Sequence, residues 1–314
     1  MTATIANRIG QAALVLLLAF TASFLLLQAL PGDAILIKYQ NPEMGLSPEQ
    51  IAEIRLRYGA DAPLWAQYGN ALWNVLQGNF GYSVQAGVPV NALLATNLPP
   101  TLRLASLGLL VAVLLAGAVA FAATLAPFRW LREALQSLPS LMIAVPVFWL
   151  GIMLIQLFSF RLRLVPVINP SELQALILPV ATLAVPIAAP LAQILIRSLD
   201  EAELQPFVAV ARAKGASRSY VLWHHVLRNA LLPVLTIAGV LFGELLAGAV
   251  VTETVFGING LGRVTEQAVS NQDTAVLQAI VVLAAAGFVL INLAVDLVAP
   301  LIDPRLQRST EALA

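Results

Sequence analysis

No cysteine occurs anywhere in this chain, which excludes a disulfide framework, a thiol nucleophile and any cysteine-built metal centre. Charge is almost as scarce. Only 11% of the residues are Asp, Glu, Lys or Arg, against roughly 25% in a typical soluble domain. Histidine is limited to the adjacent pair His224 and His225, and neighbours on a helix project about 100° apart, so the pair is poorly placed to share one metal ion. A GxxxxGK[ST] phosphate loop is also missing, and with it any evident nucleotide site. What the chain has instead is apolar sequence: 59% of its 314 residues are hydrophobic. They fall in runs of about 20, long enough to cross a bilayer as helices and unlike the short alternating strands of an outer-membrane barrel.

Six spans are predicted, at residues 9–30, 101–126, 137–158, 176–196, 231–251 and 276–299, giving an all-α integral membrane protein. The first run follows a weakly basic start at Arg8, as a secretory leader would. It is long enough to span, however, and Ala29, Leu30, Pro31, Gly32 and Asp33 make a poor cleavage site, so it is retained as a membrane helix.

Lysine and arginine set the orientation. One side carries Arg8, Arg129, Arg132, Arg197, Arg212, Lys214, Arg218, Arg228, Arg305 and Arg308; the short loops opposite carry Arg161, Arg163 and Arg263. Both termini are therefore expected in the cytoplasm. The chain divides into a tail and first span (1–30), an extracytoplasmic segment (31–100), a five-helix core (101–299) containing a cytoplasmic loop (197–230), and a cytoplasmic C-terminal tail (300–314). Within the outside segment, Ser47-Pro48-Glu49-Gln50 is a helix start, and Trp65, Tyr68, Leu72, Trp73 and Leu76 recur at helical spacing. A small helical cap follows, either a lid on the bundle or a surface for an external protein or a gate.

Prolines punctuate two spans: Pro139 and Pro146 in the third, and Pro179, Pro186 and Pro190 in the fourth. Each removes a backbone donor and favours a bend, which suits a gated cavity, although proline is also commoner in membrane helices than in soluble ones. Ionisable groups inside a span are costly and point to function. Glu244 is the clearest, among the small residues Gly243, Ala247 and Gly248. It either selects a cationic group on a transported solute or is a protonated or hydrogen-bonded structural group. Asp296 is read as interfacial and structural.

The richest stretch is the loop before the fifth span. A helix containing Val208, Val210 and Ala211 is broken at Gly215; Ser217 then caps a second helix with Val221, Leu222, Val226 and Leu227 on its apolar face. A helix-glycine-helix hairpin lying flat on the cytoplasmic face is expected.

At these residues the chain resembles the permease subunits of ATP-binding cassette importers, whose cytoplasmic loop has the form EAA, three residues, G, and a later Leu-Pro. Here Ala209-Val210-Ala211 stands where EAA would be, Gly215 supplies the glycine, and Leu232-Pro233 closes the loop. The glutamate is missing and the stretch to Leu-Pro is long. Both departures fit the dipeptide, oligopeptide and nickel branch, whose loop reads ARAKG and then LRNALLP, as do Ala211-Arg212-Ala213-Lys214-Gly215 and the residues from Leu227 to Pro233. Leu30-Pro31-Gly32-Asp33, Leu64-Trp65-Ala66-Gln67-Tyr68, Gly78-Asn79-Phe80-Gly81, Pro100-Thr101-Leu102, Glu253-Thr254-Val255-Phe256, Gly260-Leu261-Gly262-Arg263 and Asp303-Pro304-Arg305 are similar to that branch in the same order.

The resemblance implies six transmembrane helices of the type I ABC importer permease fold, in a bacterial or archaeal plasma membrane. This chain would be the first of two related permeases, served by two cytoplasmic ATPases that carry ATP and Mg and by an extracytoplasmic substrate-binding protein. No nucleic acid and no cofactor of its own are implied. The loop would couple to an ATPase through Ala209, Val210, Ala211, Arg212, Ala213, Lys214, Gly215, Ala216, Ser217, Arg218, Tyr220 and Trp223. Glu244, Pro186 and Pro190 are candidates for the substrate pathway, and Glu244 stands where a small residue is expected in the relatives. The cargo is left open among dipeptides, longer peptides, opine-like conjugates, metal chelates and nickel. An ion-coupled secondary transporter is the rival reading, though the internal repeats it usually carries are not evident. An intramembrane enzyme lacks its nucleophile and ligands, and the loop around Gly215 argues against a purely structural role.

Overall fold

The computed structural model of this protein describes residues 2–29, 34–39, 46–58 and 62–302. Leu30-Pro31-Gly32-Asp33 and Asp303-Pro304-Arg305 lie outside the described residues, and the side chain of Asp296 is likewise outside the description. The chain divides into two compact units, Met1–Thr101 with Ile258–Val289 and Leu102–Gly257 with Leu290–Ala314.

The first unit begins with α1 (Thr2–Ala29), α2 (Ala34–Tyr39), α3 (Pro48–Tyr58) and α4 (Leu64–Leu76). The start of α3 is the capping box expected there: Ser47 N–H donates to Gln50 Oε1 at 2.8 Å and Gln50 N–H to Ser47 Oγ at 3.4 Å. The Ser47 hydroxyl also donates to Glu49, which holds that exposed carboxyl below its ordinary pKa. On α4 the apolar residues form a helix as predicted, but they do not all face inward. Tyr68 packs edge-on against Phe20 and Phe24 of α1, with ring centroids 5.6 and 5.3 Å away, whereas Trp65, Trp73 and Leu76 are exposed.

A two-stranded hairpin, β1 (Tyr82–Ser83) and β2 (Val88–Pro89), follows, with Tyr82 opposite Pro89. It leads directly into α5 (Val90–Leu125). The second span thus belongs to a helix that starts well before the expected residue 101 and carries Pro99 and Pro100 in its interior. Near its start the Thr101 hydroxyl accepts a 2.8 Å hydrogen bond from Leu261 N–H, at the head of α12 (Leu261–Ser270). The first half of α13 (Thr274–Ile302) completes this unit, and its Val276, Leu277 and Ala279 pack with Val90, Leu94 and Leu261 in an apolar cluster.

The second unit holds α6 (Arg129–Ala144), α7 (Val147–Leu154) running into a π turn at Ile155–Arg161, α8 (Gln174–Glu203), α9 (Pro206–Ala213), α10 (Arg218–Val221), a second π turn at Leu222–Val226, and α11 (Leu227–Phe256). Its centre is the packing of α8 on α11 and α6, and Leu183 of α8, almost fully buried, sits against glycines of α5 and α11. A Cβ on Gly108 would lie 3.0 Å from Leu183 Cδ2, and one on Gly248 3.1 Å from Leu183 Cδ1. Small residues thus let the helices approach around one leucine, the usual solution where lipid supplies no hydrophobic drive between helices.

Among the described residues five helices are long and apolar enough to cross a bilayer: Arg8–Ala29, Val90–Leu125, Gln174–Glu203, Arg218–Phe256 and Thr274–Val295. A sixth candidate is the pair Arg129–Ala144 and Val147–Arg161, bent by 98°. Of the two prolines expected to bend the third span at 137–158, Pro146 breaks it sharply while Pro139 lies inside α6. Val145 is extended at φ −86° and ψ 119°, the conformation that Pro146 imposes on the residue before it, and the helix stops there. By contrast α8 runs on through Pro179, Pro186 and Pro190 as a single helix.

Candidate functional site

The loop between α8 and α11 is built by local turn chemistry. Gln205 leaves the helical region at φ −71° and ψ 146°, and Pro206, pre-set for a first helical turn, opens α9. This short helix buries Val208 and stops before Gly215, whose φ is +87°. A Cβ at Gly215 would meet nothing within 4 Å, so backbone conformation, not crowding, is what calls for glycine. Ser217 then caps α10, its Oγ accepting from Tyr220 N–H at 3.3 Å.

The second arm departs from the flat, separate helix expected. It passes through the π turn at Leu222–Val226 into α11, so that Arg218–Phe256 is one helical run. The wider turn rotates the register enough to bury Val221, Leu222 and Val226 together. Loop and membrane helix are therefore one helical run, with Pro233 inside it.

Of the twelve residues predicted to form the contact surface, Ala211 and Ala216 are half-buried, and the other ten are exposed: Ala209, Val210, Arg212, Ala213, Lys214, Gly215, Ser217, Arg218, Tyr220 and Trp223. Val210 and Tyr220 put apolar surface among cations, a mixture suited to a protein partner.

The inner side of the loop is clamped to the helices. Arg218 Nη2 donates to the Thr124 carbonyl at 2.6 Å, taking up one of the orphan carbonyls in the last turn of α5. Arg218 Nε also lies 3.8 Å from Glu203 Oε1, with Arg212 Nη2 at 4.0 Å from the same oxygen. The Trp223 ring packs on Phe121 of α5 at 4.4 Å between centroids. Nearby, Arg132 Nη2 bonds Asp200 Oδ1 at 2.7 Å, joining α6 to the end of α8. Phe121 and Thr124 carry no signal in an apolar run, and Glu203 is one of several charges at the end of α8. His224 stacks on Tyr220 at 4.1 Å, and among the described residues no group of three or more His, Cys, Asp and Glu is placed to hold a metal ion.

Two carboxylates on α11 have opposite environments. Glu244 is exposed, flanked along the helix by buried Leu241, Phe242 and Leu245. Glu253 is fully buried, one turn before the left-handed Gly257 that ends the helix. Pro186 and Pro190 are half-buried in α8.

Apolar helices carrying an exposed and partly cationic loop are the architecture of a multi-pass membrane protein that works with another protein. The chain belongs to the family described as binding-protein-dependent transport system inner membrane component, which it matches over residues 88–308, and it matches that family's N-terminal part over residues 1–105. It is 37% identical over 292 residues to a probable peptide ABC transporter permease protein of Sinorhizobium fredii, covering 90% of this chain and 92% of that protein. It is 36% identical to a putative peptide transport system permease protein of Brucella abortus (98% of this chain, 99% of the relative) and 36% identical to the glutathione transport system permease protein GsiC of Salmonella choleraesuis (93% and 94%). Its fold is similar to that of the MetNI methionine ABC transporter in an inward-facing conformation, with a TM-score of 0.51 at 19% identity, covering 67% of this chain and 96% of that chain. The protein is thus the permease subunit of a binding-protein-dependent ABC importer, and the ion-coupled alternative is not favoured.

Proposed function

We propose that this chain forms half of the pathway by which peptides or related small solutes are imported, paired with a second homologous permease. Two cytoplasmic ATPases holding ATP and Mg supply the energy, and an extracytoplasmic binding protein delivers the cargo. The observation that carries this reading is the loop from Pro206 to Val226: its outer surface is exposed, its turn is fixed by Gly215, and its inner surface is clamped to α5 and α8. A loop built this way passes a partner's motion to membrane helices instead of absorbing it. Peptide cargo is supported by the peptide and glutathione permeases among the relatives.

Two contacts support six crossings with both termini inside. Ser83 is hydrogen-bonded to Asp273, and between them run α5, α8 and α11. Returning to one face of the membrane takes an even number of crossings, which favours reading the bent pair α6–α7 as the fourth. Arg132 and Asp200 are also bonded, with the bent pair and α8 between them, which supports the same reading. On this reading the arginine-rich side of that bond is cytoplasmic, the segment at 31–100 is extracytoplasmic, and the five-helix core is 101–299. Glu244, exposed on α11, is placed for a surface shared with cargo or with the second permease.

The test is to extract the tagged chain gently from native membranes and identify what co-purifies in fixed proportion. A second permease with one or two Walker-motif ATPases is the expected result. Recovery of this chain alone, with uptake indifferent to ATP depletion, would overturn the proposal.

A further inference from the structure

A cavity of about 290 Å³ lies in the first unit, where α4 meets the end of α1 and the beginning of α13. Its polar lining is mostly side-chain amides, Gln28 on α1, Gln67, Asn70 and Asn74 on α4, Asn79 just beyond it, and Gln278 on α13, joined by Thr274 at the start of α13. No Lys, Arg, Asp, Glu or His lines it among the described residues. Some of the amides are mutually engaged: Gln28 Nε2 donates to Gln67 Oε1 at 2.9 Å, Gln67 Nε2 to the Ala62 carbonyl at 2.8 Å, and Asn79 Oδ1 accepts from Gly81 N–H at 3.0 Å. Gln278 Nε2 is buried and has no acceptor among the described residues. A buried donor left without a partner is unfavourable, and this one belongs to a residue of the cavity wall.

We propose that this cavity binds an uncharged main-chain segment of a peptide. A side-chain amide presents a carbonyl acceptor and an N–H donor together, the same pair that a peptide group presents, so the two match in both directions. Among the described residues the lining carries no charge, which argues against other ligands. Phosphate or carboxylate would call for arginine or lysine, and an ammonium group for a carboxylate. Lipid headgroups and the charged ends of a free peptide are therefore poorly matched, whereas the interior of an extended peptide fits. The volume is at the small end of ligand pockets, suiting a short segment. Phe24 and Phe80 supply apolar wall. The segment comes either from the interior of a cargo peptide or from a loop of the external binding protein; naming these two sources rests on the importer reading and on the extracytoplasmic placement of this unit.

The experiment uses the intact transporter complex in nanodiscs, purified without binding protein. Saturation-transfer NMR is recorded with N-acetyl-trialanine-amide as the probe. The expected result is transfer to the blocked peptide at least several-fold stronger than to free zwitterionic trialanine, falling to background in Asn70→Leu/Asn74→Leu. Gln278→Met, which keeps the volume and removes the buried donor, should weaken it while the complex elutes unchanged from size exclusion. Equal transfer to blocked and free peptides, persistence in both variants, or a preference for maltotriose would overturn the site. Displacement of the probe by ligand-free binding protein assigns the segment to that protein; displacement by a long unblocked peptide alone assigns it to cargo. The readout needs no transport, so loss of the importer reading would leave the result on the cavity standing.

Discussion

The Ser83 hydroxyl donates a 2.6 Å hydrogen bond to Asp273 Oδ2 across 190 residues of sequence, with both side chains buried. The same carboxylate accepts from Gln85 N–H at 3.3 Å and, through Oδ1, from Val276 N–H at 3.4 Å in the first turn of α13. One side chain therefore caps a membrane helix and pins the β-hairpin. Removing the hydroxyl leaves part of a buried carboxylate unsatisfied, at a cost of about 1–3 kcal/mol. Ser83→Ala should lower the temperature at which the purified complex loses its monodisperse elution peak, and Asp273→Ala should lower it further because the cap is lost as well. Equal stability of all three proteins would show that the bond is not holding the hairpin.

Gly215 is the position where the loop depends on backbone freedom. At a φ of +87° any side chain is strained, by roughly 1–2 kcal/mol for a left-handed residue, and the turn between α9 and α10 should move. Gly215→Asp is expected to abolish ATP-driven uptake while the chain remains in the membrane, measured by radiolabelled peptide uptake beside a membrane-fraction immunoblot. Normal uptake would sink the coupling role.

Arg218 links the loop to the end of α5 and to Glu203, so its loss should separate ATP use from transport. In Arg218→Gln the number of peptides carried per ATP hydrolysed should fall several-fold, with Arg218→Lys intermediate because it keeps the charge without the fork. Proteoliposome assays that count phosphate and peptide together read this ratio. An unchanged ratio in Arg218→Gln would mean the clamp is only a packing contact.

Glu244 is exposed on a membrane helix, and neutralising it should alter the preference for or rate with cationic peptides while sparing neutral ones. Uptake of lysine-containing and alanine-only tripeptides by Glu244→Gln measures this. Identical profiles for the two proteins would assign the side chain to subunit packing.

Local chemistry was the readable part of this sequence. The capping box at Ser47 and Gln50, the left-handed Gly215 and the Ser217 cap each depend on a few neighbouring residues, and each formed where it was expected. Proline was readable only in part. Pro146 ends a helix while Pro186 and Pro190 sit inside one, and the difference rests on whether surrounding helices satisfy the freed carbonyls, which are far away in sequence. Hydropathy gives the depth of a residue along a span but not its rotation. Glu244 and Glu253 are nine residues apart, so at about 100° per residue they face opposite ways on α11. The buried stripe through Leu245, Ala249 and Thr252 reaches Glu253, and following it would have identified the interior carboxylate. The hairpin at Tyr82–Ser83 and Val88–Pro89 was missed because two-residue strands leave no periodicity to read.

The unbroken run from Arg218 to Phe256 makes the loop one end of a lever. Its 39 residues, at 1.5 Å each, form an arm of about 58 Å. A tilt of about 5° imposed at Arg218 would sweep the far end, where Glu253 is buried, through about 5 Å, and Glu244, part way along, through about 3 Å. A small stroke in the cytoplasm is thereby geared up to a displacement comparable with the width of a peptide chain.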